Sequence, residues 1–364
     1  MGNPSVGTLP LTEQGHPEVT SEMRMGVLDA SREAEWDRFV LSRPDGSFFQ
    51  LTGWMRALQK TFGYEPRYIY AERDGKIAGI APLFSASNWV IGNVLYSVPF
   101  GVYAGICAED EGVFSALLEH VKALALDENV DFLELRSRKS GPLPGFHQNP
   151  LYVTFTTELL PDHEANLKKL PRDTRYMIRK AEKAGLQPRH GIEQLHEFYD
   201  LFAANMQRHG TPVFPLRWFE NLHAEFGDKM DLLMIRNGET PVAGVISFFF
   251  RDTVLPYYAG AGPDAPRLAA NNLLYWDLMK FAVDAGYRVF DFGRSKQGTG
   301  SFAFKTQWNM TLEPLEYQIF LVKRKTAPNF SPVNPKFERA TRLWSRMPLW
   351  MTKLAGPRVV RWFP

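Results

Sequence analysis

Two stretches decide the fold: WMRALQKTFG, residues 54–63, and WFENLHAEFG, residues 218–227. The first places Trp54, Leu58 and Phe62 at i, i+4 and i+8 and stops at Gly63; the second repeats the spacing with Trp218, Leu222 and Phe226 and stops at Gly227. Each spacing predicts an amphipathic helix, because residues four apart share one face, and each glycine suits a helix C-terminus.

The repetition continues outward. After each helix comes an apolar strand, a turn and a second apolar strand: YIYAERDGKIAGIAPLF and LLMIRNGETPVAGVISFFF. Asp74-Gly75 and Asn237-Gly238 are dipeptides that accept the positive φ of a tight hairpin. Ala-Gly recurs in the second strand (Ala78-Gly79, Ala243-Gly244), followed by Tyr-Ala-Gly (Tyr103 to Gly105, Tyr258 to Gly260). Helices are expected at about 112–127 and 271–285, and each copy closes on a strand ending in Arg-Ser: Arg136-Ser137 and Arg294-Ser295. Shared order at this many points predicts two α/β units of one design, with mixed sheets.

The bulk composition agrees. The chain has 364 residues, 45% hydrophobic and 23% charged, a globular balance and a length suited to two domains. Its single cysteine, Cys107, rules out an intramolecular disulfide and reads as a small buried hydrophobe, consistent with a reducing, cytoplasmic setting. Residues 1–24 read as a mobile leader without a signal-peptide pattern, and no apolar run reaches the length of a membrane span. Units are expected at 25–160 and 161–325, the second entered by a basic helix, and a basic aromatic tail at 326–364. From Lys323 onward there are ten Lys and Arg against one acidic residue, a charge of +9; the whole chain carries +2, so the remainder carries −7. In that tail Trp344, Trp350 and Trp362 alternate with Arg342, Arg346, Lys353, Arg358 and Arg361. This pattern fits an anionic membrane surface, packing on the body, or RNA.

The chemistry concentrates in FDFGRSKQGTGSFAFKTQW, residues 290–308. A Walker A loop needs glycine directly before Lys-Ser/Thr, but Phe304 precedes Lys305-Thr306. A dinucleotide fingerprint needs a third glycine, and a hydrolase elbow needs Gly-x-Ser-x-Gly; neither is present. The eight histidines are scattered, with no metal-ligand spacing. What remains is a strand end presenting Asp291, Arg294 and Lys305. Acyl transfer to an amine requires a stabilised oxyanion and a route for the amine proton, which such a cluster can provide. The alternative is a surface lysine beside core aromatics. Before the second copy, Arg172, Arg175, Arg179 and Lys183 line one face of a helix expected from Pro171 to Gly185. Thr174, Met177, Ile178 and Ala181 form its apolar side. That face is either solvated or a phosphate contact.

With RYMIRKAEKAG, YYAGA, NNLLYWDLMKFAVDAG, FDFGRS and FAFKTQW in view, the chain resembles the FemAB-type acyltransferases over about residues 30–325. These are tandem N-acetyltransferase-like (GNAT-like) folds. RHGTP, residues 208–212, resembles the members associated with exosortase, PEP-CTERM and exopolysaccharide systems. The resemblance implies transfer of an acyl or aminoacyl group onto an amine of a cell-envelope precursor. It implies a role for Lys305 at the acyl-transfer centre and phosphate contacts for Arg175 and Arg179. From the residues themselves, Asp291 and Tyr258 are further catalytic candidates, and Arg294, His209 and Asn272 are candidate substrate contacts. Asp291 reads equally as a strand cap and His209 as a structural hydrogen-bonder, and of Tyr257 and Tyr258, which alternate on a strand, one is expected in the core and the other in a cleft. No tightly bound cofactor or metal is implied; the donor is a co-substrate, aminoacyl-tRNA or acyl-CoA. The acceptor would be a small molecule or a lipid-linked glycan or peptide, met at the inner face of the cytoplasmic membrane. Two departures bear on the donor. The coiled-coil arm associated with tRNA is missing from the pattern. The glycine-rich turn that cradles the pyrophosphate of acyl-CoA is replaced by Arg267-Leu-Ala-Ala-Asn-Asn272. A binding protein for an anionic glycan or RNA is the non-enzymatic alternative.

Overall fold

The computed structural model describes residues 23–327 and 335–363. The leader expected at 1–24 lies outside them except for its last two residues, and Arg24 opens an edge strand, Arg24–Val27. The repeat is realised element by element. Helix Thr52–Phe62 precedes strands Glu65–Arg73, Lys76–Asn88 and Gly92–Ser97, helix Glu111–Asp127 and strand Phe132–Ser137. Helix Leu216–Phe226 precedes strands Met230–Asn237, Thr240–Phe250 and Thr253–Ala261, helix Ala270–Asp284 and strand Val289–Asp291. In each copy the third strand is parallel to the strand after the helix, while the hairpins are antiparallel.

The turns differ in detail. Asp74 and Gly75 both take positive φ (54° and 76°), the pattern of a type I′ hairpin. In the second copy Asn237 stays in the strand opposite Thr240, and Gly238 carries the positive φ at the head of the Gly238-Glu239 loop. The repeated Ala-Gly has a packing reason. A Cβ on Gly79 would strike Val113 and Leu117 of helix Glu111–Asp127, and one on Gly244 would strike Met234 and Phe198.

The sheets do not respect the expected boundaries. The first runs Arg24–Val27, Glu65–Arg73, Lys76–Asn88, Gly92–Ser97, Phe132–Ser137, Glu316–Leu321, His147–Asn149. The second runs Ser295–Lys296, Tyr152–Glu158, Val289–Asp291, Thr253–Ala261, Thr240–Phe250, Met230–Asn237, Gln187–His190. Tyr152–Glu158, read as part of the unit 25–160, pairs with Val289–Asp291 of the second sheet. Glu316–Leu321, read as part of 161–325, pairs with Phe132–Ser137 of the first. Each unit's last strand is thus covered by a strand from the far side of the expected boundary. Periodicity along a chain does not encode which sheet edge a strand will join.

The two copies meet through their signature helices. Trp54 and Trp218, both fully buried, contact edge to face at 5.3 Å and 89°. Gly53 lies under Phe226, with room for no larger residue unless that ring gives way. The Trp54 indole donates to the Pro99 carbonyl at 3.1 Å, and the Trp218 indole donates to the Tyr258 hydroxyl at 3.0 Å. Arg56 and Lys60 of one helix pair with Glu225 of the other. One apolar core runs through both units at this contact.

The tail forms helices Pro335–Arg346 and Leu349–Val360, which pack on helix Leu195–Arg208. Gln207 donates to the carbonyls of Ser345 and Met347, Tyr64 donates to the Arg361 carbonyl, and Lys353 pairs with Asp200. Pro357 is accommodated inside the second helix rather than ending it. Thr352 and Val360 are buried, whereas Trp350 and Leu354, on the same helix, face outward. Among the described residues no helix is long and apolar enough to cross a membrane.

Each of Trp54→Ala and Trp218→Ala is expected to cost about 3–5 kcal/mol of unfolding free energy, the range for truncating a fully buried aromatic. Because the rings touch, the double variant should lose less than the sum of the two. Urea titrations followed by far-ultraviolet circular dichroism measure both quantities.

Candidate active site

Asp291 ends its strand fully buried, where both units converge. Its Oδ1 accepts from the Tyr103 hydroxyl (3.1 Å), the Thr154 hydroxyl (3.1 Å) and the Gly293 amide (2.9 Å). Its Oδ2 faces the Arg138 guanidinium at 3.7 Å. Burial raises the Asp291 pKa, while Arg138 and the three donors pull it down. Tyr103 is the first tyrosine of the repeated Tyr-Ala-Gly, so the first unit supplies a ligand to the second unit's carboxylate. Arg138 also donates to Glu313. With one oxygen fully engaged, Asp291 ties the two units together and sets the local field.

The Gly298-Thr299-Gly300 segment is a helix start rather than a phosphate cradle. The Thr299 hydroxyl accepts from the Phe302 amide and caps helix Gly300–Thr306. Lys305 lies in its last turn and reaches back to the strand end, donating from Nζ to the Gly293 carbonyl (3.0 Å) and the Arg294 carbonyl (3.2 Å). An ammonium has three N–H donors, so one remains after these two bonds. Burial lowers the Lys305 pKa to about 8; Asp291 opposes this and Arg294 adds to it.

Arg294 and its repeat counterpart Arg136 converge. Their guanidinium carbons lie 6.0 and 5.8 Å from the centre of the Tyr317 ring, and Arg294 also lies over Tyr152 at 4.6 Å. Arg136 pairs with Glu134, whereas among the described residues Arg294 has no carboxylate partner. Both arginines line a cavity of about 600 Å³.

The remaining sequence-derived residues fall elsewhere. Tyr258, expected near the chemistry, is buried among Phe202, Phe214 and Phe219, and its hydroxyl is held by Trp218. Its neighbour Tyr257 is the extra residue of a β-bulge opposite Ile246 and Ser247; its ring lies 4.9 Å from that of Tyr258, and its hydroxyl donates to the Phe100 carbonyl. The structure therefore gives Tyr258 a packing position, away from Asp291 and Lys305. His209 is exposed at the end of helix Leu195–Arg208. Asn272 is buried in the first turn of helix Ala270–Asp284. That helix is preceded by Ala269 at φ 56°, so the turn keeps a left-handed residue even without glycine.

The basic helix is Arg172–Lys183, with Thr174, Ile178 and Ala181 buried. Thr174 donates to the Gln307 carbonyl at 2.5 Å, which ties this helix to the chain two residues past Lys305. Among the described residues the side chains of Arg172, Arg175, Arg179 and Lys183 make no ion pair, and none of these four was brought to the strand-end cluster. Cys107 is fully buried, and burial pushes its thiol pKa up. No group of three or more His, Cys, Asp or Glu able to hold a metal occurs among the described residues. Sequence reading missed Tyr103, Arg138, Thr154, Tyr152 and Tyr317 as members of the site. Of these, only Tyr103 had a signal, its place in the repeat.

Residues 168–306 match the family described as "Acetyltransferase (GNAT) domain". The crystal structure of FemX superimposes with a TM-score of 0.63 at 17% identity, over 82% of this chain and 98% of FemX. A tandem GNAT protein from the clavulanic acid biosynthesis pathway superimposes with a TM-score of 0.52 at 10% identity, over 85% of this chain and all of that one. The fold is the tandem GNAT fold. In sequence, the chain is similar to the lipid II:glycine glycyltransferase of Staphylococcus aureus (strain MRSA252), 26% identical over 211 residues. That match covers 52% of this chain and 49% of the relative, so the chain spans about half the length of the curated relatives it matches. The parallel strands Thr253–Ala261 and Val289–Asp291 pair only at Thr253 with Val289 and Val254 with Phe290. Beyond that point they share no further ladder, and Asp291 and Arg294 follow directly.

The Lys305 shift has a sign that can be checked. In the folded protein Lys305 loses its proton at about pH 8, whereas the unfolded chain holds it to about 10.5. Between these values the unfolded chain binds more protons, so raising the pH favours the folded state. The unfolding free energy of wild type minus that of Lys305→Met should therefore rise between pH 8 and 10.5 and be flat below pH 7. Paired denaturant titrations across that range measure it.

Proposed function

We propose that this tandem GNAT protein is an acyltransferase of the FemAB type. It would move an acyl or aminoacyl group onto an amine of a cell-envelope or exopolysaccharide precursor. The observation that carries the reading is Lys305. Its ammonium is held by two strand-end carbonyls, keeps one donor free, and stays largely protonated at neutral pH. The similarity to lipid II:glycine glycyltransferase over about half of each chain supports the reaction class and an envelope acceptor.

In this mechanism the acceptor amine attacks the acyl carbonyl and a C–N bond forms. The free N–H of Lys305 stabilises the tetrahedral oxyanion, the bond from acyl carbon to the donor's oxygen or sulfur breaks, and the amine proton ends on that leaving atom. Asp291 acts as a positioning residue, holding Arg138 and the strand end and moderating the charge near Lys305. The unpaired cations of Arg172–Lys183 suit phosphates of the donor or acceptor. Arg175 and Arg179 are the contacts proposed there, and His209 and Asn272 are kept as weaker substrate contacts. The exosortase and PEP-CTERM association rests on RHGTP alone.

Two donors are proposed. Aminoacyl-tRNA is favoured by the glycyltransferase similarity, and acyl-CoA by the GNAT-domain match at 168–306. The outward-facing Trp350 and Leu354 beside Arg346 and Arg358 support contact with the inner face of the cytoplasmic membrane, where a lipid-linked acceptor would be found.

Incubation with acetyl-CoA, longer acyl-CoAs or charged tRNA, each with a UDP-amino sugar, followed by mass spectrometry, tests the reading. Lys305→Ala is expected to lower kcat about 10²- to 10³-fold with donor affinity retained. Wild-type kcat should fall as the pH rises through about 8, because the protonated lysine is the active form. Turnover by Lys305→Ala equal to wild type would remove the lysine from the chemistry.

A further inference from the structure

The cavity behind Arg294 has a composition that the transfer chemistry does not require. Its floor comes from the first sheet, where Val94, Tyr96, Phe132 and Arg136 lie on the strands Gly92–Ser97 and Phe132–Ser137. One wall is the segment joining helices Leu195–Arg208 and Leu216–Phe226, and the roof is the two tail helices. The lining is overwhelmingly apolar, and the volume of about 600 Å³ lies within the range of small-molecule sites. Charge is confined to one end. There Arg136 and Arg294 flank Tyr317; Glu134 lines the same cavity and pairs with Arg136, whereas Arg294 has no carboxylate partner among the described residues.

An apolar space with two guanidiniums at one end, one of them neutralised by Glu134 and the other, Arg294, left without a carboxylate, is complementary to an amphiphile: a chain for the lining and an anion for Arg294. We propose that this cavity binds a single long acyl chain carried on an anionic head, the head at Arg294 and the chain beneath the tail helices. The naming of an acyl chain rests on the acyl-transfer reading above. The tail then acts as the roof of a binding site, and its exposed face, with Leu343 and Trp350 each 67% exposed and Leu354 62%, lies on the opposite side from the ligand. An anionic carrier thioester and a free fatty acid share this chemistry.

Isothermal titration of the full chain with lauroyl-CoA, laurate and acetyl-CoA tests the proposal. Lauroyl-CoA is expected to bind at least about 100-fold more tightly than acetyl-CoA, because each buried methylene adds affinity. Lauroyl-CoA tighter than laurate would assign the carrier thioester; equal affinities would assign the fatty acid; both support the cavity. Arg136→Ala with Arg294→Ala should weaken lauroyl-CoA at least tenfold. Ala340→Trp, which fills the space from an exposed helix position and spares the fold, should abolish the chain-length preference. Acetyl-CoA and lauroyl-CoA binding within threefold of each other, no binding of either, or an unchanged preference in Ala340→Trp would overturn the proposal. The same titrations on Lys305→Ala should match wild type. A chain-length preference that survives there without turnover in wild type would sink the acyl-transfer assignment while leaving the cavity intact.

Discussion

The contact on which the rest depends is the edge-to-face packing of Trp54 on Trp218. Each tryptophan belongs to the helix that heads its own repeat, and each spends its indole N–H on a loop or strand that leads towards the site: Pro99 for one, Tyr258 for the other. Edge-to-face geometry at 5.3 Å uses the ring quadrupoles favourably and fixes an angle, which a contact between aliphatic side chains would not. Because the two helices are locked together, the ends of equivalent strands in the two units face one another. Arg136 and Arg294, Tyr103 and Asp291, meet for that reason. A buried carboxylate with donors from both halves is then possible, and so is a lysine whose ammonium is partly stripped of water.

This arrangement sets large costs beside local compensation. Burial raises the Asp291 pKa, and Arg138 and three hydrogen bonds offset that only in part. Lys305 is desolvated next to Arg294, and its deprotonation is correspondingly eased, with Asp291 restraining the shift.

The repeat was legible because helices and hairpins are specified locally. Trp, Leu and Phe four residues apart, glycine at the stop and Asp-Gly at the turn each carry their own physical reason, and the helices expected at 112–127 and 271–285 begin and end within one residue of Glu111–Asp127 and Ala270–Asp284. The glycine of Asp74-Gly75 fell where expected, while at Asn237-Gly238 the strand claimed the asparagine. The sheet edges were not legible. Nothing in the alternation of YVTFTTE, residues 152–158, says which of two similar sheets it will extend. In the site, Lys305, Asp291 and Arg294 could be singled out because glycines and charges at a strand end are conspicuous. Arg138, Thr154 and Tyr152 could not be, since they reach the site only through that strand's choice of sheet or through the junction it creates. Tyr258 could not be placed from alternation, because Tyr257 is inserted as a β-bulge that breaks the alternation and brings the two rings to 4.9 Å of each other.

The exchange of strands also governs the order in which the chain can be finished. Phe132–Ser137 is hydrogen-bonded to Gly92–Ser97 on one side, but its other side waits for Glu316–Leu321. His147–Asn149 cannot stand in, since it pairs with Glu316–Leu321 and not with Phe132–Ser137. On the ribosome, where synthesis proceeds towards the C-terminus, the first sheet therefore keeps an open edge until Glu316–Leu321 has been made, about 180 residues after Phe132–Ser137. The first repeat emerges as a template and is sealed only by the last strand of the second.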